Sequence, residues 1–119
     1  MTHMQFEQLI DELEQNRVQT LKEKNARYSS ENDALHNFIS GAAIMQCTPA
    51  QCAWAYATKH IAALRDMIQR DNFNNREDVL EKIQDIQNYL CFIWCIANDK
   101  QETNKNCLIQ ELESNEPQK

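Results

Sequence analysis

Three polar side chains share one face of a predicted helix late in the chain. Glu81, Asp85 and Asn88 stand at i, i+4 and i+7 in a segment with a strong apolar stripe, residues 80–97, and this spacing places them on one side of a helix. Two carboxylates one turn apart can jointly hold a hard cation such as Mg²⁺, with a nucleotide's phosphates completing its shell. The alternative interpretation is a solvated face, and the sequence leaves both open for Glu81 and Asp85.

Cationic, amide and aromatic side chains elsewhere supply what a phosphate and a base require. A lysine binds phosphate as a point charge, and an aromatic ring stacks on any base. Tyr56 and Tyr89 are better pocket candidates than Trp54 and Trp94, because a buried hydroxyl needs a partner and the tryptophans lie on stripes typical of a core. His60 is more simply interpreted as a hydrogen-bonded core histidine than as a catalyst. The candidate ligand-binding residues are Lys24, Tyr28, Asn37, Lys59, His60, Arg65, Asn88 and Tyr89. No residue is assigned a catalytic role.

Charge and composition narrow the classes of partner. The net charge is −6, which argues against DNA or RNA, because that binding depends on Lys and Arg neutralising phosphates. A small nucleotide remains compatible with this charge. No apolar run approaches the ~20 residues that span a bilayer, so we expect no membrane partner. The acidic, amphipathic N-terminus is unlike a signal peptide, and five cysteines indicate reduced thiols in a cytoplasmic protein. Cys91 and Cys95, at i and i+4, could bridge a metal. A structural zinc site needs four ligands, however, and no other cysteine has a matching partner spacing, so the cysteines are better interpreted as small buried apolar residues.

The elements that would position these groups are helices. One glycine and two prolines leave little material for the tight turns of a strand-rich fold. We predict an all-α, four-helix-bundle-like domain over 1–98 and a polar segment over 99–119, partly helical or frayed. Periodicity predicts helices at about 4–27, 33–45, 49–70 and 76–98, with Ser30 and Asn75 as N-caps. Thr48 to Gln51 form a capping box around Pro49. The third helix has two apolar stripes, so it is central or lies at a subunit interface.

Three segments resemble a known family. They are KNARY (24–28) followed by ALHNF (34–38), ATKHIAALRDM (57–67) and EKIQDIQNYL (81–90). They resemble small phage and prophage proteins grouped as nucleotide-modification-associated, a family similar to the MazG-type all-α NTP pyrophosphatases. The resemblance covers residues 21–97. It implies a MazG-like bundle that forms homo-oligomers in the host cytoplasm, with a nucleotide site between its helices.

The match to the MazG-type metal motif is partial. In that pattern one helix carries Glu-Glu-x-x-Glu and a later one Glu-x-x-Asp, and together they hold Mg²⁺. Asp85 matches the final aspartate, but Lys82 stands at the glutamate's place and Glu81 lies one residue earlier. The third helix offers Lys59 and His60 and has no Glu-Glu-x-x-Glu. A pocket that exchanges acidic groups for Lys and His suits direct binding of phosphates without metal.

These observations lead to three hypotheses of function. The first is a phage-encoded binder of a nucleotide or nucleotide-derived signal that requires no cofactor and acts as a sponge against host antiphage defence signalling. It places Lys59 and His60 opposite Asp85 and Asn88 in a cavity between two central helices. The second is a Mg²⁺-dependent nucleotide pyrophosphohydrolase with Glu81 and Asp85 as metal ligands. The third is a structural helical interaction module. Whether the protein is an enzyme stays open at this point.

Overall fold

Helices make up most of the described backbone. The structure, a computed structural model, describes the backbone of residues 1–28 and 33–114 and the side chains of 1–27, 33–99 and 112. Within these ranges the helices are α1 (His3–Glu14), α2 (Arg17–Tyr28), α3 (His36–Met45), α4 (Pro49–Gln69) and α5 (Arg76–Ser114). No described residue lies in a β-strand, which confirms the all-α class. In this part of the chain no helix is both long and apolar enough to cross a bilayer.

The predicted first helix is wrong at one point, where it divides into α1 and α2. Asn16 adopts a left-handed backbone conformation with φ 61°, which asparagine tolerates better than most residues do. The N–H of Gln15 still donates to the carbonyl oxygen of Asp11, at 2.8 Å, so α1 is hydrogen-bonded up to the break. We call this break the corner between α1 and α2, and Arg17 is the first residue after it.

Side-chain caps fix the starts of the two longest helices. The Thr48 Oγ1 accepts from the N–H of Gln51 at 3.1 Å, and the Gln51 Oε1 accepts from the N–H of Thr48 at 2.9 Å. This confirms the capping box, with Pro49 as the first residue of α4. The Asn75 Oδ1 accepts from the N–H of Asp78 at 3.1 Å, which confirms the predicted cap of α5.

Two predicted boundaries are shifted and one predicted cap is not described. α3 begins at His36 and not near Asp33, because the Asp33 carboxylate accepts from the N–H of Leu35 at 2.9 Å and holds a turn there. α5 continues beyond the predicted end at Asn98 and reaches Ser114, so the polar stretch from 99 to 114 is helical. Ser30 lies outside the described residues.

The core is small and is centred on Phe38 of α3. The Phe38 side chain is 3% exposed, and its ring centroid lies 4.7 Å from that of Phe92 and 6.0 Å from that of Tyr56. Cys52 and Ala53 are fully buried, and these small side chains let α4 approach its neighbours closely. α4 packs against both α3 and α5, as expected for a central helix.

The two tryptophans do not belong to this core, which contradicts the interpretation of their stripes. Trp54 is 54% exposed and Trp94 is 71% exposed. α4 buries its small residues Cys52 and Ala53, and α5 buries Ile96. At the two tryptophans, the apolar stripes of α4 and α5 are therefore not covered by other described parts of the chain.

The contact between α3 and α4 at Gly41 yields a prediction. A Cβ at Gly41 would lie 2.6 Å from the Tyr56 Oη and 2.7 Å from the Sγ of buried Cys52. We expect Gly41→Ala to lower the free energy of unfolding by up to about 2 kcal/mol in chemical denaturation, because overpacking costs about 1–3 kcal/mol and is only partly offset by the ~1 kcal/mol gained in helix propensity.

The control is Ala43→Gly at an exposed position of the same helix, which should lose about 0.5–1 kcal/mol through propensity alone. A Gly41→Ala protein more stable than the wild type would contradict the close packing.

Candidate functional site

A cavity of about 310 Å³ lies where four helices converge. This volume is at the lower end of the ~300–1,000 Å³ typical of small-molecule sites. The lining residues of α2 are Leu21, Lys24 and Asn25, those of α3 are Asn37 and Phe38, that of α4 is His60, and those of α5 are Glu81, Asp85, Asn88, Tyr89 and Phe92. The cavity therefore combines an apolar floor with a dense set of polar groups.

His60, Asp85 and Tyr89 form the middle of the cavity wall. The His60 Nδ1 lies 3.4 Å from the Asp85 Oδ2, and the two side chains are 21% and 25% exposed. The imidazole also stacks on the ring of Tyr89, with a centroid separation of 5.5 Å and an interplanar angle of 29°. Two flat rings and a carboxylate thus meet at one place, half-screened from solvent.

The Tyr89 hydroxyl is a hydrogen-bond donor in this setting. Burial raises the pKa of Tyr89 above its ordinary value, and the nearby Asp85 carboxylate raises that pKa further. Both effects disfavour a phenolate. The hydroxyl therefore keeps its proton across the neutral range and can donate to an acceptor on a ligand.

The polar row of α5 runs along the cavity wall. Glu81 is exposed, while Asp85 and Asn88 are half-buried. Among the described residues, no three His, Cys, Asp or Glu side chains converge to hold a metal ion. Mg²⁺ is commonly bound by one or two carboxylates together with phosphates, so Glu81 and Asp85 fit this ion only when a ligand's phosphates complete the shell.

Most of the predicted site residues line this cavity, namely Lys24, Asn37, His60, Glu81, Asp85, Asn88 and Tyr89. Lys59 and Arg65 do not line it. Lys59 is exposed because adjacent helical residues point about 100° apart, so the turn that aims His60 at α5 aims Lys59 at solvent. Arg65 is also exposed and pairs with Asp66 at 3.8 Å. The side chain of Tyr28 lies outside the described residues.

Three further side chains differ from their predicted roles. Tyr56 packs against Phe38 in the core and does not line the cavity. Cys91 is half-buried and Cys95 is exposed, so the interpretation as buried apolar residues is wrong for Cys95. The described cysteines are all free thiols.

Arg17 is the residue of this region that the sequence did not reveal. Its Nη1 donates to the Asn88 Oδ1 at 3.1 Å, and its Nε donates to the Glu14 Oε2 at 2.8 Å. The Glu14 Oε1 accepts from the Gln87 Nε2 at 3.1 Å. A guanidinium has no acceptor, so the amide oxygen of Asn88 must face Arg17, and the two N–H groups of Asn88 stay available to a ligand. The only sequence signal for Arg17 is its i, i+3 spacing from Glu14.

The chain matches no protein-family model, no curated protein and no solved structure. These results neither assign nor exclude a family, so the resemblance to the nucleotide-modification-associated proteins stays a prediction. The function has to be inferred from the cavity itself.

The link from the α1–α2 corner to α5 yields a second prediction. Arg17→Ala should lower the free energy of unfolding by about 1.5–3 kcal/mol, because it removes charge-assisted hydrogen bonds at a side chain that is 13% exposed. The measurement is urea denaturation followed by circular dichroism.

The matched control is Arg65→Ala, where an exposed arginine loses a salt bridge to exposed Asp66. A pair of this kind contributes at most about 1 kcal/mol. Equal losses in the two variants would show that Arg17 does not anchor the corner.

Proposed function

We propose that the protein binds a nucleotide or nucleotide-derived small molecule without turning it over. The observation that carries the proposal is the meeting of His60, Asp85 and Tyr89 above an apolar floor formed by Phe38 and Phe92. A nucleobase has two flat apolar faces and an edge of alternating donors and acceptors. The cavity offers apolar and aromatic side chains for the faces of a base and hydrogen-bonding side chains for its edge.

The polar groups favour a base that bears an amino group. The carboxylate of Asp85 only accepts hydrogen bonds when ionised, and so does that of Glu81 nearer the exposed end. Asn88 and Tyr89 supply donors for ring nitrogens or carbonyl oxygens. Ring stacking on an aromatic wall contributes about 1–3 kcal/mol for a base.

The charges favour a definite orientation for the ligand. Lys24 is the sole lysine or arginine among the lining residues, against the two carboxylates of Glu81 and Asp85. A polyphosphate held inside the cavity would be repelled by those carboxylates. The base therefore enters the cavity, and the phosphate stays near the exposed side chain of Lys24.

The biological role in this proposal follows from the resemblance to the phage proteins. A binder that does not consume its ligand can lower the free concentration of a signal nucleotide, and sequestration of a host antiphage defence signal is such a role. It requires only affinity and abundance, and it uses neither a nucleophile nor a metal.

A second candidate function is Mg²⁺-dependent nucleotide pyrophosphohydrolysis. The observation that favours it is that Glu81 and Asp85 line the same cavity, one helical turn apart. In this hypothesis both carboxylates bind the ion together with the ligand's phosphates, and the ligand lies with its phosphates deep in the cavity.

A ligand panel separates these functions. We expect nucleosides, mononucleotides, cyclic nucleotides or dinucleotides with an amino-bearing base to raise the melting temperature without Mg²⁺, and the ligand to be recovered intact by chromatography after heat denaturation. Asp85→Asn should weaken binding at least about tenfold, because it removes a charged hydrogen-bond acceptor. Calorimetric titration measures this affinity.

Two lysines provide the matched control for ligand orientation. Lys24→Ala should weaken the binding of a phosphorylated ligand more than the binding of its parent nucleoside. Lys59→Ala should change neither affinity, because Lys59 lies outside the cavity. Release of pyrophosphate that requires Mg²⁺ and is abolished by Asp85→Asn would instead support the hydrolase. Absence of a thermal shift with any member of the panel would contradict both.

A further inference from the structure

An apolar stripe runs along the side of α5 away from the cavity. Its members are Val79, Ile83, Ile86, Leu90, Trp94 and Ala97, and we call them the outer stripe. Their spacings of three and four residues keep them on one side of the helix. Leu90 is 52% exposed, Trp94 is 71% exposed, and Ala97 is exposed as well. α5 therefore leaves part of this apolar side, around Leu90 and Trp94, in solvent.

The other two sides of α5 are occupied. One side meets α4 through Asp85 and buried Ile96. A second side meets the α1–α2 corner, where the Gln84 Nε2 donates to the carbonyl oxygen of Leu13 at 2.8 Å and Arg17 donates to Asn88. The outer stripe is the third side, and no described element of the chain covers its Leu90 and Trp94.

The outer stripe continues into an apolar groove between α1 and the start of α5. The groove has a volume of about 290 Å³ and shares Val79 and Ile83 with the stripe. On the α1 side it is lined by Leu9 and Ile10, which are 41% and 44% exposed. Its charged lining residues, Glu12 and Arg76, pair with each other. Stripe and groove therefore form one continuous apolar surface.

The chain exposes more surface than a compact monomer of the same length would. The accessible surface is 9659 Å², whereas a compact monomer of this length exposes about 6,700 Å². This surplus of about 3,000 Å² is a total for the whole chain, and a standard interface, which buries ~800 Å² on each partner, would need only part of it. α1 contributes to it, because none of its residues is buried.

We propose that a second copy of this chain covers the outer stripe and the groove in a twofold-symmetric dimer. A twofold interface pairs one surface patch with itself, and a patch without net charge suits this arrangement in a chain of net charge −6, since acidic groups at the contact would repel their own copies. Two outer stripes with three- and four-residue spacing can pack ridges into grooves across the symmetry axis. This proposal does not depend on the identity of the ligand.

The test compares the oligomeric state of the full chain and its variants. Wild-type protein should be a dimer or a larger even-numbered assembly by light scattering and sedimentation at micromolar concentrations. Leu90→Glu and Trp94→Glu should each convert it to monomer or raise its dissociation constant at least about 100-fold, while keeping the helical circular dichroism. Ile44→Glu is the matched control, because Ile44 is 85% exposed on α3 and lies outside the outer stripe and groove, so it should leave the assembly unchanged.

A fluorescence measurement keeps the test decisive if a glutamate variant folds poorly. In Trp54→Phe, Trp94 is the sole tryptophan, and its emission should shift to longer wavelength on dilution as the interface opens. The proposal is overturned if the wild type is monomeric at about 100 µM, if Trp94→Glu assembles as the wild type does, or if Trp94 emits as a hydrated indole at every concentration.

Discussion

The seam between α4 and α5 is the contact on which the rest of the structure depends. At one end it closes on small and apolar side chains, where fully buried Cys52 and Ala53 lie in one core with Ile96. Further along, the seam carries His60 and Asp85, which contact each other but retain 21% and 25% of their exposure. Full burial of such a pair would cost several kcal/mol in desolvation for each charged group. This cost is reduced because α4 and α5 do not close over the pair, and the space that remains between them there is part of the cavity.

The corner between α1 and α2 completes the site from the other side. Because the chain turns at Asn16, α2 can bring Lys24 to the cavity while α1 follows the start of α5. Arg17 holds this corner to α5 through Asn88, so the group that shapes the fold also orients an amide of the site.

Sequence patterns predicted several features that depend on neighbours along the chain and expected His60 opposite Asp85, where the structure has them in contact, but they missed other local and long-range features. The capping box at Thr48 is a four-residue signal, and the row from Glu81 to Asn88 is fixed by helical geometry alone, so both could be read directly. The turn at Asn16 involves one residue in a left-handed conformation, which leaves no trace in apolar periodicity. The bond from Arg17 to Asn88 joins residues 71 positions apart. Trp94 shows a related limit, because periodicity identifies an apolar side but does not say whether the same chain covers it.

α5 links the candidate site to the uncovered apolar surface, because both are parts of one helix. Its cavity side carries Asp85 and Asn88, and the opposite side carries Leu90 and Trp94. The buried apolar core of a single chain is small, and the most extensive helix–helix contact of α5 within the chain is with α4. Any partner that binds only the folded chain stabilises it by mass action, and a partner on the outer stripe would restrict the same helix that lines the cavity. The polar row and the outer stripe therefore lie on two sides of the same helix. A sequence that keeps both in place must keep α5 helical without a break through residues 79–97.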